Sequence, residues 1–430
     1  MLLRVADVPP GRRRVRRNRL LTIGLTLLLV VVGSGAAIYL HLQGNLRTSA
    51  LTGGGHEHAN AAGDAPINLL VLGSDTRASK GDCSIGGDCS AASATSGNAT
   101  SAGANADVEM LVHISADRSN ATVMSIPRDT MVTVPQCTNS STGRSEAPHL
   151  DRINSTLQYG PGCTASAVHQ LTGVPIDHFM VIDFSGVVTM SDAVGGVQVC
   201  VDNNVYDPYS HLKLAKGRHT LKGLAALEFL RTRHGFGDGG DIGRTVAQHI
   251  FLSSMLRDME SASTLANPVK VLGLANAATS AVTVDDKLGS IPALTDLAYQ
   301  LNQVPGSRTT FVTMPTVADP SSAAAVIPAQ NASALFGKIA GDVSLTPGQG
   351  RKGSAAKSSA SVPAASSSAS PSVSSSGPTA SAAADEHATT VEAATGCARV
   401  GTAATVSVGG VAMNPTQAFA ASRSVPVSAP

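Results

Sequence analysis

The stretch Ile67-Asn68-Leu69-Leu70-Val71-Leu72-Gly73 is a nearly uninterrupted apolar run between Pro66 and the turn-former Gly73. Such a run reads as a strand buried on both faces, the kind found inside α/β sheets. Ser74-Asp75-Thr76-Arg77 follow at once. They set a carboxylate and a guanidinium where the strand leaves the sheet, the usual place for ligands in α/β folds. A Gly/Ser/Ala-rich loop then leads to Asp107 and a second strand over 109–114, and a third strand over 121–126 ends in Pro127-Arg128-Asp129. One Asp/Arg strand end is an ordinary solvated turn, but two of them point to a site.

Downstream, helical segments are expected around 153–159 and over 163–171, the latter stopped by Gly173 and Pro175. A strand over 179–182, a helix over 185–194, the pair Gly195-Gly196 and a strand over 197–201 continue the alternation. Strands alternating with helices predict a layered α/β domain. Residues 223–229 read as a short helix, and Leu230-Arg231-Thr232-Arg233 alternates so that an extended chain would aim both guanidinium groups to one side. Asp241 suits the N-cap of a helix running to about residue 259. On it Ile242, Val246 and Ile250 form one stripe and Arg244 and Gln248 another. These polar groups converge near a helix N-terminus, whose free N–H groups and dipole attract anions. The chemistry they suit is phosphate or pyrophosphate binding, with Arg forks on the oxygens and carboxylates holding a hard cation such as Mg²⁺. Spacing alone leaves a second reading open, in which Arg231, Arg233 and Asp241 form a structural ion-pair network.

Outside this region the chain is organised by composition. Arg12, Arg13, Arg14, Arg16, Arg17 and Arg19 precede an uncharged run over 20–40. At 1.5 Å per residue that run spans ~30 Å, one bilayer core, and the Arg flank predicts a cytoplasmic N-terminus with the rest outside. Gly33, Ser34, Gly35, Ala36 and Ala37 also suit signal-peptide cleavage, but the run exceeds a signal's apolar core. The expected layout is a basic cytoplasmic tail (1–19), a single transmembrane helix (20–40), a stalk (41–65) and one folded domain (66–345). A disordered Ser/Ala/Pro-rich linker (346–395) and a C-terminal tail (396–430) too short to fold alone complete it. His56-Glu57-His58 lies in the stalk without the further ligands a metal site needs. With 31 basic and 30 acidic residues, nucleic-acid binding by bulk charge is excluded. Aromatic residues at 3% with no Trp argue against stacking surfaces for single strands or sugars.

The motifs Leu70-Val71-Leu72-Gly73-Ser74-Asp75-Thr76-Arg77, Ser125-Ile126-Pro127-Arg128-Asp129-Thr130, Arg152-Ile153-Asn154 and Asp192-Ala193-Val194-Gly195-Gly196 come in this order. A block from Ala226 to His234, then Asp241-Ile242-Gly243-Arg244 and Gln248, completes the series. In order and spacing they resemble the LytR-CpsA-Psr family, actinobacterial type. The resemblance implies a central mixed β-sheet between helices, with an apolar tunnel for a polyprenyl chain. It implies a membrane-anchored, extracytoplasmic, Mg²⁺-dependent phosphotransferase that moves an anionic glycopolymer from an undecaprenyl-pyrophosphate carrier onto peptidoglycan, with no nucleic-acid partner. Carried over by position, Asp75 and Asp107 resemble the metal carboxylates, while Arg77, Arg128, Arg231, Arg233 and Gln248 resemble the pyrophosphate contacts. Asp75, Arg128, Arg231, Arg233, Asp241 and Arg244 make up the catalytic set that the resemblance implies, and Asp129 would orient Arg128. The chain departs from the pattern at Ala247, where many members have Arg. That departure suggests an alternative, a non-catalytic receptor for polyprenyl-phosphate lipids; a transcriptional attenuator is a third reading.

Six Cys outside the membrane are expected to pair. Fifteen pairings are possible for six. Cys83 with Cys89 suits a local clip, Cys137 with Cys163 flanks Arg152-Ile153-Asn154, and Cys200 with Cys397 remains by elimination.

Overall fold

A computed structural model describes residues 10–55, 57, 59, 63–74, 105–138, 143, 145–237, 239, 241–260, 266–346, 389–390 and 396–428. Asp75, Arg77, Cys83 and Cys89 lie outside the described residues, as does the side chain of Asp241.

The centre is a mixed sheet of eight strands: β1 (Arg47–Ser49), β2 (Ile67–Ser74), β3 (Ala106–Ile114), β4 (Ala121–Ile126), β5 (His178–Ile182), β6 (Val282–Asp285), β7 (Thr309–Thr313) and β8 (Thr389–Thr390). Their order across the sheet is β1-β6-β5-β2-β3-β4-β7-β8. β2 runs parallel to β5 and β4 parallel to β7, while β3 runs antiparallel between β2 and β4. Helices cover both faces, as expected for the α/β class. On one face Leu70, Leu72, Leu111, Met124 and Phe179 pack with α2 (Pro161–Thr172) and α8 (Ala332–Ala340). On the other, Leu69, Val71, Met110 and Phe311 meet α3 (Phe184–Val194), α5 (Asp241–Glu260), α6 (Pro268–Ala281) and α7 (Ile291–Asn302). Both faces of β2 are therefore covered, which is why its sequence shows no alternation.

Local rules account for the helix ends. Asp183 caps α3 through Gly186 N at 2.7 Å, and Gly195 ends it at φ 96°. Gly196, at φ 103°, also leaves no room for a Cβ against Thr220. The helical segment expected around 153–159 is a 3-10 helix, Ile153–Tyr159.

Two parts of the layout differ from expectation. The stretch 41–65 is not wholly a stalk, because Arg47–Ser49 pairs with Val282–Asp285 and Gly54 O accepts from Ile176 N. The C-terminal residues 396–428 are docked on the domain. They carry a hairpin, Val406–Val408 with Val411–Met413, and a helix α9 (Pro415–Ala421) whose Asn414 forms a capping box with Gln417. Cys200–Cys397 joins them to the strand Val197–Val201, and Ala398 and Val400 enter the core formed by that strand, α4 (Gly223–Arg231) and α5. The segment is too short for its own core and borrows one. Cys137–Cys163 is the second disulfide among the described residues.

Helix α1 runs from Pro10 to Asn45, and its part Leu20–Asn45 is the one helix among the described residues long and apolar enough to cross a membrane.

Candidate functional site

Antiparallel pairing brings the expected strand ends together. Ser74 at the end of β2 faces Ala106 at the start of β3, and Ile126 at the end of β4 faces Glu109. A register shift between Gly73 and Ser74 leaves Asp107 as the extra residue of a bulge, re-aimed at the sheet's edge. Arg128, two residues beyond β4, therefore reaches Asp107 directly and ion-pairs with it. Arg128 Nε also lies 3.6 Å from Asp129, which is held in turn by Arg152 at 3.3 Å. Asp129 thus links Arg128 to Arg152, one step behind Asp107.

The other cations arrive from α4 and α5. α4 continues through Arg231, so Leu230 to Arg233 is not the extended stretch that alternation suggested. The helix instead closes at Thr232, which is fully buried, with its hydroxyl donating to Glu228 O at 2.7 Å and meeting Ser210 Oγ at 2.7 Å. Anchoring that one residue leaves Arg231 and Arg233 on either side of it, both lining the same cavity. Arg231 lies over the Phe184 ring at 4.9 Å, a cation–π contact. Arg233 Nη2 and Arg244 Nη1 lie 3.5 Å and 3.9 Å from the same Asp107 oxygen that Arg128 holds.

α5 supplies Arg244, Gln248 and Leu252 to the cavity from successive turns, and Gln248 donates to Leu230 O at 3.3 Å. The expected apolar stripe fails at Val246, which is 45% exposed, because the buried side of α5 is formed by Ala247, Ile250 and Phe251. Ala247 is buried in the same core as Phe229, Phe236 and Phe251 and is not part of the cavity lining. Gly243 lets the helix start against Phe236, whose carbonyl a Cβ would strike.

The cavity measures about 490 Å³. Val71, Met110, Ile182, Val187, Leu227 and Leu252 give it apolar walls, and Arg128, Arg233 and Arg244 gather at Asp107 in the same lining. Sequence reasoning missed Asp207 and His234. Asp207 is fully buried, accepts from Tyr209 N at 3.0 Å and His234 N at 3.1 Å, and so fixes the turn behind Arg233. The signal available was Asp207-Pro208-Tyr209, a turn-forming sequence whose partner lies 27 residues away and is invisible to local pattern.

Among the described residues no group of three His, Cys, Asp or Glu could hold a metal ion. Asp107 is the described member of the expected carboxylate pair. Its Oδ1 is shared by three guanidinium groups, and a lone carboxylate suits Mg²⁺ only where other ligands, such as phosphate oxygens, supply the rest.

The strand ends of a mixed α/β sheet thus hold a cavity lined by both apolar side chains and guanidinium groups. The chain belongs to the LytR_cpsA_psr family, whose sequence profile matches residues 36–336. It is 30% identical over 353 residues to a cell wall biosynthesis protein, LcpA, of Corynebacterium glutamicum, covering 77% of this chain and 66% of LcpA, just under two thirds of its length. It is 24% identical over 251 residues to the polyisoprenyl-teichoic acid–peptidoglycan teichoic acid transferase TagU of Enterococcus faecalis, covering 58% of this chain and 72% of TagU. Among solved structures, the LytR-Csp2A-Psr enzyme from Actinomyces oris superposes with a TM-score of 0.51 at 23% identity, covering 68% of this chain and 95% of that one. That likeness concerns the fold.

Proposed function

We propose that this chain is a membrane-anchored phosphotransferase that moves an anionic glycopolymer from an undecaprenyl-pyrophosphate carrier to a peptidoglycan hydroxyl, working outside the cytoplasm. The observation that carries the reading is the joining of Arg128, Arg233 and Arg244 around Asp107 in a cavity with apolar walls. Apolar walls suit a polyprenyl chain, and guanidinium forks suit a pyrophosphate. The names of LcpA and TagU, which concern cell wall biosynthesis and teichoic acid transfer, support the polymer and the acceptor.

In this reading Arg231 and Arg233, set by Thr232, grip the two phosphates from α4, and Arg128 and Arg244 approach from β4 and α5. Together they neutralise the charge that grows on the leaving prenyl phosphate as the acceptor oxygen attacks phosphorus in line. Such preorganised charge is worth most where water is excluded. Arg77, Gln248 and Asp241 belong to the same proposed machinery. Asp75 and Asp107 would hold Mg²⁺, which when bound supplies further neutralisation of phosphate charge.

The test is transfer of a labelled glycan phosphate from a polyprenyl-pyrophosphate donor to peptidoglycan, run beside a binding titration of the same donor. Arg233→Ala should lower transfer at least tenfold, from loss of charge-assisted bonds worth about 1.5–3 kcal/mol. Tight donor binding by the parent without transfer of any anionic wall polymer would replace the enzyme by a lipid receptor.

A further inference from the structure

Helix α1 leaves its apolar run at Leu40 and is at once tied to α6. His41 Nε2 lies 2.9 Å from Asn276 Oδ1, Asn45 donates to Asn276 at 3.1 Å and to Thr279 at 3.2 Å, and Arg47 donates to Ser280 O at 2.9 Å. The contacts advance together, from 41 to 47 on one chain segment and from 276 to 280 on the other. The two helices therefore run side by side in the same direction, and tracing α6 backwards from Asn276 leads along α1 towards its apolar run.

That backward stretch is the part of α6 the domain leaves uncovered. Val269 is 79% exposed and Val271 and Leu272 are each 41% exposed, whereas Ala277, Thr279 and Ala281 of the same helix are buried. Single exposed apolar residues are common on soluble domains. Here three fall within four positions, on a helix that starts with Pro268 after the cap Asn267. The seven-residue step from Val269 to Asn276 rises ~10 Å, similar to the depth at which interfacial helices lie below the headgroups. Lys270 is the one charged residue in α6, and its stem is long enough to carry the ammonium back to the phosphate layer.

We propose that the first two turns of α6 are a lipid-docking surface, seated in the leaflet through which α1 emerges. The proposal rests on α1 spanning the membrane and not on the transfer chemistry. Seating α6 also orients the site, because α6 packs on α3, and α3 contributes Phe184 and Val187 to the cavity wall. The domain is thereby held at two points, α1 and α6, which prevents it from swivelling on the anchor.

The experiment uses the full chain in phosphatidylglycerol/phosphatidylcholine nanodiscs, with a nitroxide at Val269→Cys and a reference nitroxide at Val411→Cys in the C-terminal hairpin, against unsubstituted chain treated identically. Collision rates with oxygen and with a water-soluble nickel chelate are compared. The expected result is several-fold preference for oxygen at 269 and for nickel at 411. Equal accessibility at the two positions, with the chain resisting carbonate extraction, overturns the docking surface and leaves the anchor standing. Release of the parent chain by carbonate overturns the anchor itself, and with it the docking surface. A Val269→Asp/Leu272→Asp variant should remain in the membrane fraction through α1 while its Val271→Cys nitroxide shifts towards nickel access.

Discussion

His249 Nε2 lies 2.7 Å from Ser125 Oγ, a buried contact that ties α5 to the end of β4. Ser125 stands three residues before Arg128, and His249 follows Gln248 directly. The pair therefore fixes two groups of the site against each other across the sheet and helix layers. The ring is also packed on Phe311, with centroids 5.3 Å apart. Burial pushes its pKa down from the usual 6.5 to about 4, so the imidazole stays neutral in the folded protein.

The sign of the pH effect follows. Between pH 6.5 and about 4 the unfolded chain takes up a proton at His249 that the folded chain does not. Stability is therefore full above 6.5, falls as the pH drops through this window, and stops falling from this source below about 4. A shift of this size corresponds to about 3 kcal/mol. Thermal melts from pH 7.5 to 4 should show the slope, and His249→Gln should flatten it. An unchanged slope would refute the assignment.

Thr232 is expected to be worth more than its size. Thr232→Val keeps the volume but strips the hydroxyl from Ser210 and from Glu228 O, leaving buried polar groups unpaired at about 1–3 kcal/mol each. Tm should fall by several degrees, and transfer should fall with it because Arg231 and Arg233 lose their common pivot. Thr232→Ser, which retains the hydroxyl, should recover most of both.

How legible this was differs by scale. The strand at 67–73 and those at 121–126 and 197–201 could be read because burial and turn residues act locally. Arg128, Arg231, Arg233, Arg244 and Gln248, drawn from separate motifs, line one cavity. What the sequence could not display was pairing at a distance. Asp107 acquires its place from a bulge opposite Gly73 and Asp207 from a turn 27 residues downstream. The end of α4 was misjudged because Arg231 and Arg233 alternate, and alternation imitates a strand; the hydroxyl bond of Thr232 to Glu228 O belongs to a helix terminus.

The tail should matter to the site as well as to the fold. Thr405 Oγ1 donates to His234 O at 2.8 Å, Gly401 N to Gly235 O at 3.0 Å and Gly237 N to Arg399 O at 3.0 Å, so residues 399–405 hold the loop that follows Arg233. Cleavage at a protease site placed within residues 351–388 should leave Tm and transfer unchanged while Cys200–Cys397 is intact. The same cleavage in a Cys200→Ser chain should release the tail, lower Tm and slow transfer. Unaltered transfer after release would mean that the loop keeps its shape alone.

Asp107 carries the sharpest prediction, because its two proposed partners impose opposite demands. As a counter-ion it offsets Arg128, Arg233 and Arg244, and as a metal ligand it would turn an oxygen to Mg²⁺. Asp107→Asn removes both roles while nearly preserving shape. Without the carboxylate the guanidinium groups face the pyrophosphate with one more net positive charge, so donor binding measured without Mg²⁺ should stay equal or tighten. Transfer should fall at least a hundredfold and lose its response to added Mg²⁺, since the neutralisation that matters grows only as the leaving phosphate departs. Binding is thus kept or gained while turnover is lost. A variant that loses binding and transfer in proportion would show Asp107 to be a structural ion-pair partner, and one that transfers normally with Mg²⁺ dependence intact would remove it from the metal site.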